Sequence, residues 1–301
     1  MVFIQKTVKL FIVTLLILVH FMTQNSHASG TFLVKDLSEK DIAEMLKSKV
    51  LKKPYFCDPS RLKILTISYY DFSGKTHDDG KIVVLDAAAQ NVIKIFQEIY
   101  ENKFPLQSVK LMDDFGGDDD FAMNENNSSA FNQRRIAGSD KLSIHSYGLA
   151  IDINPLQNPF IIFNHQDGSA QYHPSAGVKF INRPTIDSGE SKKDAKKSGF
   201  VEPIVKIFHK NGLTIWGGDW KDPIDYHHFQ TSRALAELLV KMDAKDAEIF
   251  FKAHVKFLNK ENKGDEELVQ YAEKTLGEDL IFVYLADKIK FIDWVNNVEF
   301  E

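Results

Sequence analysis

The tightest constraint on this chain is an ionisable side chain inside its most strand-like run. In "SIHSYGLAIDIN", residues 143–154, Leu149, Ile151 and Ile153 alternate with Ala150, Asp152 and Asn154. A strand sends alternating residues to opposite faces, which places Asp152 among small and polar neighbours. A carboxylate in such a strand needs a cation or hydrogen-bond donors in front of it. The chain offers two sources of partners. His145 lies seven residues upstream, and "DPIDYHHF" (residues 222–229) carries Asp225, His227 and His228 far downstream.

Around this run the pattern predicts an α+β fold. Residues 29–60 form a polar, partly helical lead-in, with "LSEKDIAEMLKSK" as its helix. "LKILTISYYDF" reads as a strand, "GKIVVLDAAAQNVIKIFQEIY" as a short strand running into an amphipathic helix, and "FPLQSVKLM" as another strand. "DDFGGDDDFAMNENNSSAFNQRR" is a long loop by composition, and loops of that length tend to be functional. Residues 164–195 are polar and irregular by the same reasoning. "VEPIVKIFHKNGLTIWGGDW" predicts a helix stopped at Gly212, a short strand and a glycine-rich turn. Strands mixed with helices without regular βαβ spacing favour a small antiparallel sheet with flanking helices over residues 61–230, followed by a helical extension at 231–301.

Residues 1–28 stand apart. Lys6 and Lys9 precede "LFIVTLLILVHFM", and "SHA" (Ser26, His27, Ala28) follows, the pattern of a cleaved secretory signal. Its removal leaves 35 basic against 42 acidic residues, a net of −7, and no stable membrane span is expected afterwards. That balance, without a basic block, argues against nucleic acid as a partner. Cys57 is the only cysteine, so no intrachain disulfide can form; its expected place is the core.

Zinc binds imidazole nitrogen and carboxylate oxygen at about 2.0–2.2 Å, and catalytic sites use three protein ligands plus a water. His145, Asp152 and His228 supply such a set. Asp225 is then the free carboxylate that takes a proton from that water, whose pKa the metal lowers to about 7.

"SIHSYGLAID" and "DYHHF" resemble the two motifs of the VanY-like zinc D-alanyl-D-alanine carboxypeptidases, and the similarity extends over about residues 60–230. The resemblance implies a Hedgehog/DD-peptidase-like zinc fold and hydrolysis of an amide bond in peptidoglycan stem peptides. The bond is D-Ala-D-Ala, L-Ala-D-Glu or a cross-link, and the setting is periplasmic or secreted. It also implies zinc ligands at His145, Asp152 and His228, with Asp225 as general base. Arg134, with Arg135 adjacent as the alternative, would hold the developing oxyanion. Ser143 would bind substrate or support a ligand. Gln133 stands where close relatives are expected to have cysteine. A non-catalytic, zinc-stabilised cell-wall or partner-binding module is the rival reading.

Several residues have blander expectations. His227 points away from the metal by alternation and packs or supports a ligand. The acidic run Asp113–Asp120 lacks EF-hand spacing and reads as a solvated loop with turn-forming carboxylates. Trp216, Trp220 and Tyr226 form a substrate wall or pack the core; Trp220 and Tyr226 are the substrate-binding candidates. Gly148, Gly217 and Gly218 answer backbone needs.

Overall fold

The computed structural model describes residues 30–183, 198–261 and 287–297, together with 270, 274, 283 and 284. The expected leader, residues 1–28, lies outside them. Among the described residues no helix is long and apolar enough to cross a membrane.

The scaffold is an antiparallel meander, β1 (Phe32–Asp36), β2 (Leu62–Tyr70) and β3 (Thr76–Leu85), with β2 in the middle. Between β1 and β2 lies α1 (Glu39–Lys47), started by a capping box. Ser38 Oγ accepts from the Asp41 N–H at 3.2 Å, and the Asp41 carboxylate accepts from the Ser38 N–H at 2.8 Å. Such a cap contributes about 1 kcal/mol.

β3 runs directly into α2 (Asp86–Glu101), whose Ala88, Val92, Ile95, Phe96 and Ile99 recur at helical spacing and are all buried. They share one apolar core with Leu62, Leu65, Ile67, Ile82 and Val84 of the meander. Each such fully buried Ile or Phe adds about 1.5–3 kcal/mol.

Small elements hang on this scaffold. β4 (Ser108–Val109) pairs in parallel with β5 (Asn127–Ser128). The strand expected over "FPLQSVKLM" is thus only two residues long. The loop expected after it is partly helical. Asp118 Oδ1 accepts from the Phe121 N–H at 2.9 Å and opens α3 (Asp119–Asn124), so a local cap overrides the loop-like composition.

β6 (Ala150–Asp152), β11 (His228–Gln230) and β9 (Ile215–Trp216) form one antiparallel sheet. β10 (Ile224–Asp225), β7 (Phe160–Phe163) and β8 (Ala170–His173) form another. β8 falls in the stretch expected to be irregular, because pairing with β7 orders it despite its polarity. The architecture is α+β: helices with small, mainly antiparallel sheets.

Described residues after 231 join the same core. α4 (Val205–Lys210) precedes β9, and α5 (Arg233–Leu239), α6 (Ala244–Glu261) and α7 (Lys288–Asn297) follow β11. Phe250, Phe251, Phe257 and Phe291 are buried in the cluster that holds Leu65 and Phe96. Arg61 ties the ends together. Its Nε bonds Asp86 Oδ2 at 2.6 Å and its Nη2 bonds Asp86 Oδ1 at 2.8 Å and the Leu239 carbonyl at 3.2 Å, while Nη1 donates to the Met242 carbonyl.

Candidate metal centre

Two adjacent strands and one tight turn deliver the central residues. β6 and β11 pair with Asp152 directly opposite His228. In a directly opposed pair the side chains emerge on one face, close together. His145 comes from the 3-10 turn Ile144–Tyr147 just before β6. Ser143 Oγ caps it, accepting from the His145 N–H at 3.4 Å, and Gly148 ends it in the left-handed region at φ 67°. A Cβ on Gly148 would lie 2.6 Å from the Leu85 nitrogen, so only glycine lets the turn sit against the scaffold.

The three side chains converge. One ligand atom from each of His145, Asp152 and His228 lies within 4.8 Å of the others, and all three residues are buried. His145 Nε2 is 3.2 Å from His228 Nδ1 and 3.2 Å from Asp152 Oδ2, and His228 Nδ1 is 2.9 Å from Asp152 Oδ1. Ligands about 2.0–2.1 Å from a tetrahedral ion stand about 3.3 Å apart, which these separations match.

The outer hydrogen bonds choose the tautomers. His145 Nδ1 donates to the Ala130 carbonyl at 2.5 Å, and His228 Nε2 donates to Gln230 Oε1 at 2.7 Å. In the neutral rings the inner nitrogens are then bare, and two lone pairs face each other beside a carboxylate. Only a shared cation or added protons make that arrangement favourable, and the donor set of two imidazoles and one carboxylate suits zinc.

Electrostatics agree. Burial would raise the Asp152 carboxyl, but the charges of His145 and His227 and hydrogen bonds to His145 and His228 hold it well below the usual carboxylate range. Burial opposes charge on His228, yet the Asp152 hydrogen bond and charge, with a contribution from Asp225, raise it above the ordinary histidine value.

Asp225 stands outside the ligand triangle, on β10 opposite Phe160. Gly217 permits its approach, since a Cβ there would lie 2.5 Å from the Asp225 carbonyl oxygen. His227 lies outside the ligand set and supports the centre, as expected, although its side chain turns toward two carboxylates. Its Nε2 lies 3.0 Å from Asp225 Oδ1 and 3.9 Å from Asp152 Oδ2, and its Nδ1 donates to the Asn158 carbonyl at 2.8 Å. Simple alternation does not apply because Tyr226 and His227 form the turn between β10 and β11. Burial disfavours charge on His227, but the Asp225 and Asp152 carboxylates outweigh it and push the ring up to about 9.

The other candidates lie around this centre. The Trp220 ring is 5.5 Å from that of His228. The Tyr226 ring is covered by Arg183 at 4.4 Å, lies tilted against Trp216 at 6.0 Å, and packs against the core. Trp216 is packing: its Nε1 donates to the Tyr226 carbonyl at 2.8 Å and its ring stacks with Phe229. The Arg134 side chain is 31% exposed and paired with Asp119, whereas Arg135 is 57% exposed and bonds the Asp140 carbonyl. Gln133 stitches the lead-in to this region, with Oε1 accepting from the Lys52 N–H at 3.1 Å and Nε2 donating to the Lys52 and Pro54 carbonyls.

A network that the sequence reading missed backs the centre. Arg183 pairs with Glu202, donates to Asn158 Oδ1 at 2.7 Å, and lies over Phe200. The Asn158 carbonyl in turn holds His227. No motif marks Arg183 or Glu202, and only their burial reveals them.

Residues 137–231 match the model of a family described as D-alanyl-D-alanine carboxypeptidase. Comparison with curated proteins and with solved structures gave no match. The matched segment contains Ser143, His145, Asp152, Trp220, Asp225, Tyr226 and His228, and begins three residues after Arg134. The segment that carries the metal centre is therefore similar to the VanY-like D-alanyl-D-alanine carboxypeptidases, which supports a peptidase that acts on peptidoglycan.

Proposed function

We propose that this protein is an exported zinc peptidase that hydrolyses an amide bond in peptidoglycan stem peptides, built on a Hedgehog-type zinc fold. The observation that carries the reading is the buried triangle of His145 Nε2, His228 Nδ1 and Asp152. His145, Asp152 and His228 would hold zinc. A zinc ion there supplies Lewis acidity toward a water and toward the scissile carbonyl.

The chain's own groups do the rest. Asp225 takes a proton from the attacking water as the carbon–oxygen bond forms, and returns it to the amine as the carbon–nitrogen bond breaks. Gly217 and His227 hold that carboxylate in place. Arg134 faces the oxyanion that develops on the carbonyl. Trp220, Tyr226 and Ser143 border the substrate. The leader at 1–28 would direct the chain to the periplasm or outside the cell.

Incubating zinc-loaded protein with defined muropeptides, followed by mass spectrometry, tests this. Loss of a terminal D-alanine, cleavage after L-alanine, or opening of a cross-link would each support a peptidase and name its bond. Intact muropeptides after prolonged incubation with a zinc-loaded, folded protein would overturn the proposal in favour of a zinc-stabilised binding module.

A further inference from the structure

We infer that Asp119 is the positioning residue for Arg134, setting the plane of its guanidinium at the metal centre; this rests on the reading of Arg134 as the oxyanion partner.

Asp119 opens α3 but does not cap it. Asp118 does that, accepting from the Phe121 N–H at 2.9 Å, so both Asp119 oxygens are free to face elsewhere. They face the segment that leads to His145. Oδ1 accepts from Asn132 Nδ2 at 3.0 Å, and Oδ2 pairs with Arg134 Nε. Asn132 Nδ2 also donates to the Gly117 carbonyl at 3.1 Å, which fixes Asn132 against the start of the same helix.

The segment is held from the other side as well. Gln133, between the two residues that meet Asp119, points to Lys52 and Pro54. The Arg134 backbone is anchored to the turn that carries His145: its N–H donates to Ser146 Oγ at 2.9 Å, and its carbonyl accepts from the Ser143 N–H at 3.0 Å. The backbone is thereby fixed by hydrogen bonds, and Nε is held by the charge of Asp119.

The edge of the guanidinium is what matters chemically. Arginine presents its donors in a rigid planar fork. Asp119 takes the Nε edge, and among the described residues no hydrogen bond runs from Nη1 or Nη2. The terminal pair of donors stays available to a substrate oxygen. At 31% and 33% exposure the pair adds little to stability, so its value is geometric. Within the acidic run Asp113–Asp120, Asp118 is the turn-forming carboxylate expected there, and Asp119 has this second use.

The test compares zinc-loaded full-length protein with Asp119→Asn, Asp119→Glu, Arg134→Ala and the double variant Asp119→Asn/Arg134→Ala, on the muropeptide that wild type cleaves. Asp119→Asn is expected to lower kcat about tenfold with KM little changed. Asp119→Glu should recover part of the loss, and the double variant should be no slower than Arg134→Ala. Unchanged or raised kcat in Asp119→Asn would overturn the inference, as would the same factor lost again on top of Arg134→Ala.

A second readout needs no turnover. In nitrogen-15 spectra the Arg134 Nε–H should be shifted and slow to exchange in wild type and lose both traits in Asp119→Asn. A fast-exchanging Arg134 Nε–H in wild type defeats the pairing. Absent hydrolysis with that signal intact would instead remove the proposed function and leave the pairing standing.

Discussion

Two clusters of buried charge lie close together in this molecule, and they are built on opposite principles. In one, Arg183 and Glu202 meet edge to edge at 2.7 and 2.8 Å. The remaining Arg183 donors go to the Gln157 carbonyl at 2.6 Å and Asn158 Oδ1 at 2.7 Å, and Phe200 and Tyr226 cover its two faces. In the other, two imidazoles and a carboxylate aim their electron pairs at a single point. The first cluster is complete within the chain, while the second is complete only with a cation. Burial of charge is common to both and therefore does not mark function. What marks it is convergence of like lone pairs whose outer hydrogen bonds are already made.

The comparison can be broken at either cluster. The largest effect is expected from His228→Ala, which removes one corner of the triangle. Zinc measured by elemental analysis should fall from about one per chain to near zero, and hydrolysis should vanish with it. Retained zinc would defeat the ligand assignment. Asp225→Ala should keep its zinc and lose about 10²- to 10⁴-fold in kcat, since it removes a proton carrier and no ligand. Normal turnover would remove Asp225 from that role.

In the complete cluster, Glu202→Gln should cost about 3–5 kcal/mol in urea unfolding, because it leaves the buried Arg183 charge uncompensated. Replacing both partners by Met should restore much of that loss, and zinc content in the folded fraction should not change. Gln230→Ala sharpens the contrast more gently. It removes the acceptor of the His228 Nε2–H, and zinc affinity should fall about 10- to 100-fold in competition with a chelator.

Cys57 offers the smallest and cleanest readout. Burial pushes its thiol up to about 12, so at pH 8 only about one molecule in ten thousand carries the thiolate. It should resist alkylation in the native protein and in His228→Ala, but react in Glu202→Gln as that variant unfolds. Equal protection in both would show that Glu202 matters less to the fold than its burial implies.

Much of the centre was legible in the sequence because its geometry is local. Asp152 is betrayed by alternation inside an apolar strand, and His145 by its place before Gly148. The helix α2 and the hairpin of β2 and β3 show in the period of their apolar residues. The supporting role of His227 follows the expectation, but the direction of its side chain does not follow from alternation, because residues 226 and 227 are a turn between two strands and no periodicity records that. Arg183 and Glu202 were invisible because ion pairs between sequence-distant residues carry no motif. α3 was hidden by composition: an Asp-rich stretch reads as loop unless the capping geometry of Asp118 is known. The described parts of the tail beyond 231 are mainly helical, but its aromatic side chains give no hint in the sequence that they complete the core built on α2.

The register of β6 against β11 has one more effect. His228 meets Asp152 as a directly opposed pair, and a slip by a single residue would turn every side chain of the short strand to the reverse side. A metal ion that binds the three ligands together can do so in one alignment alone. Binding of such an ion would then favour chains whose two strands have met in this register over those slipped by one residue.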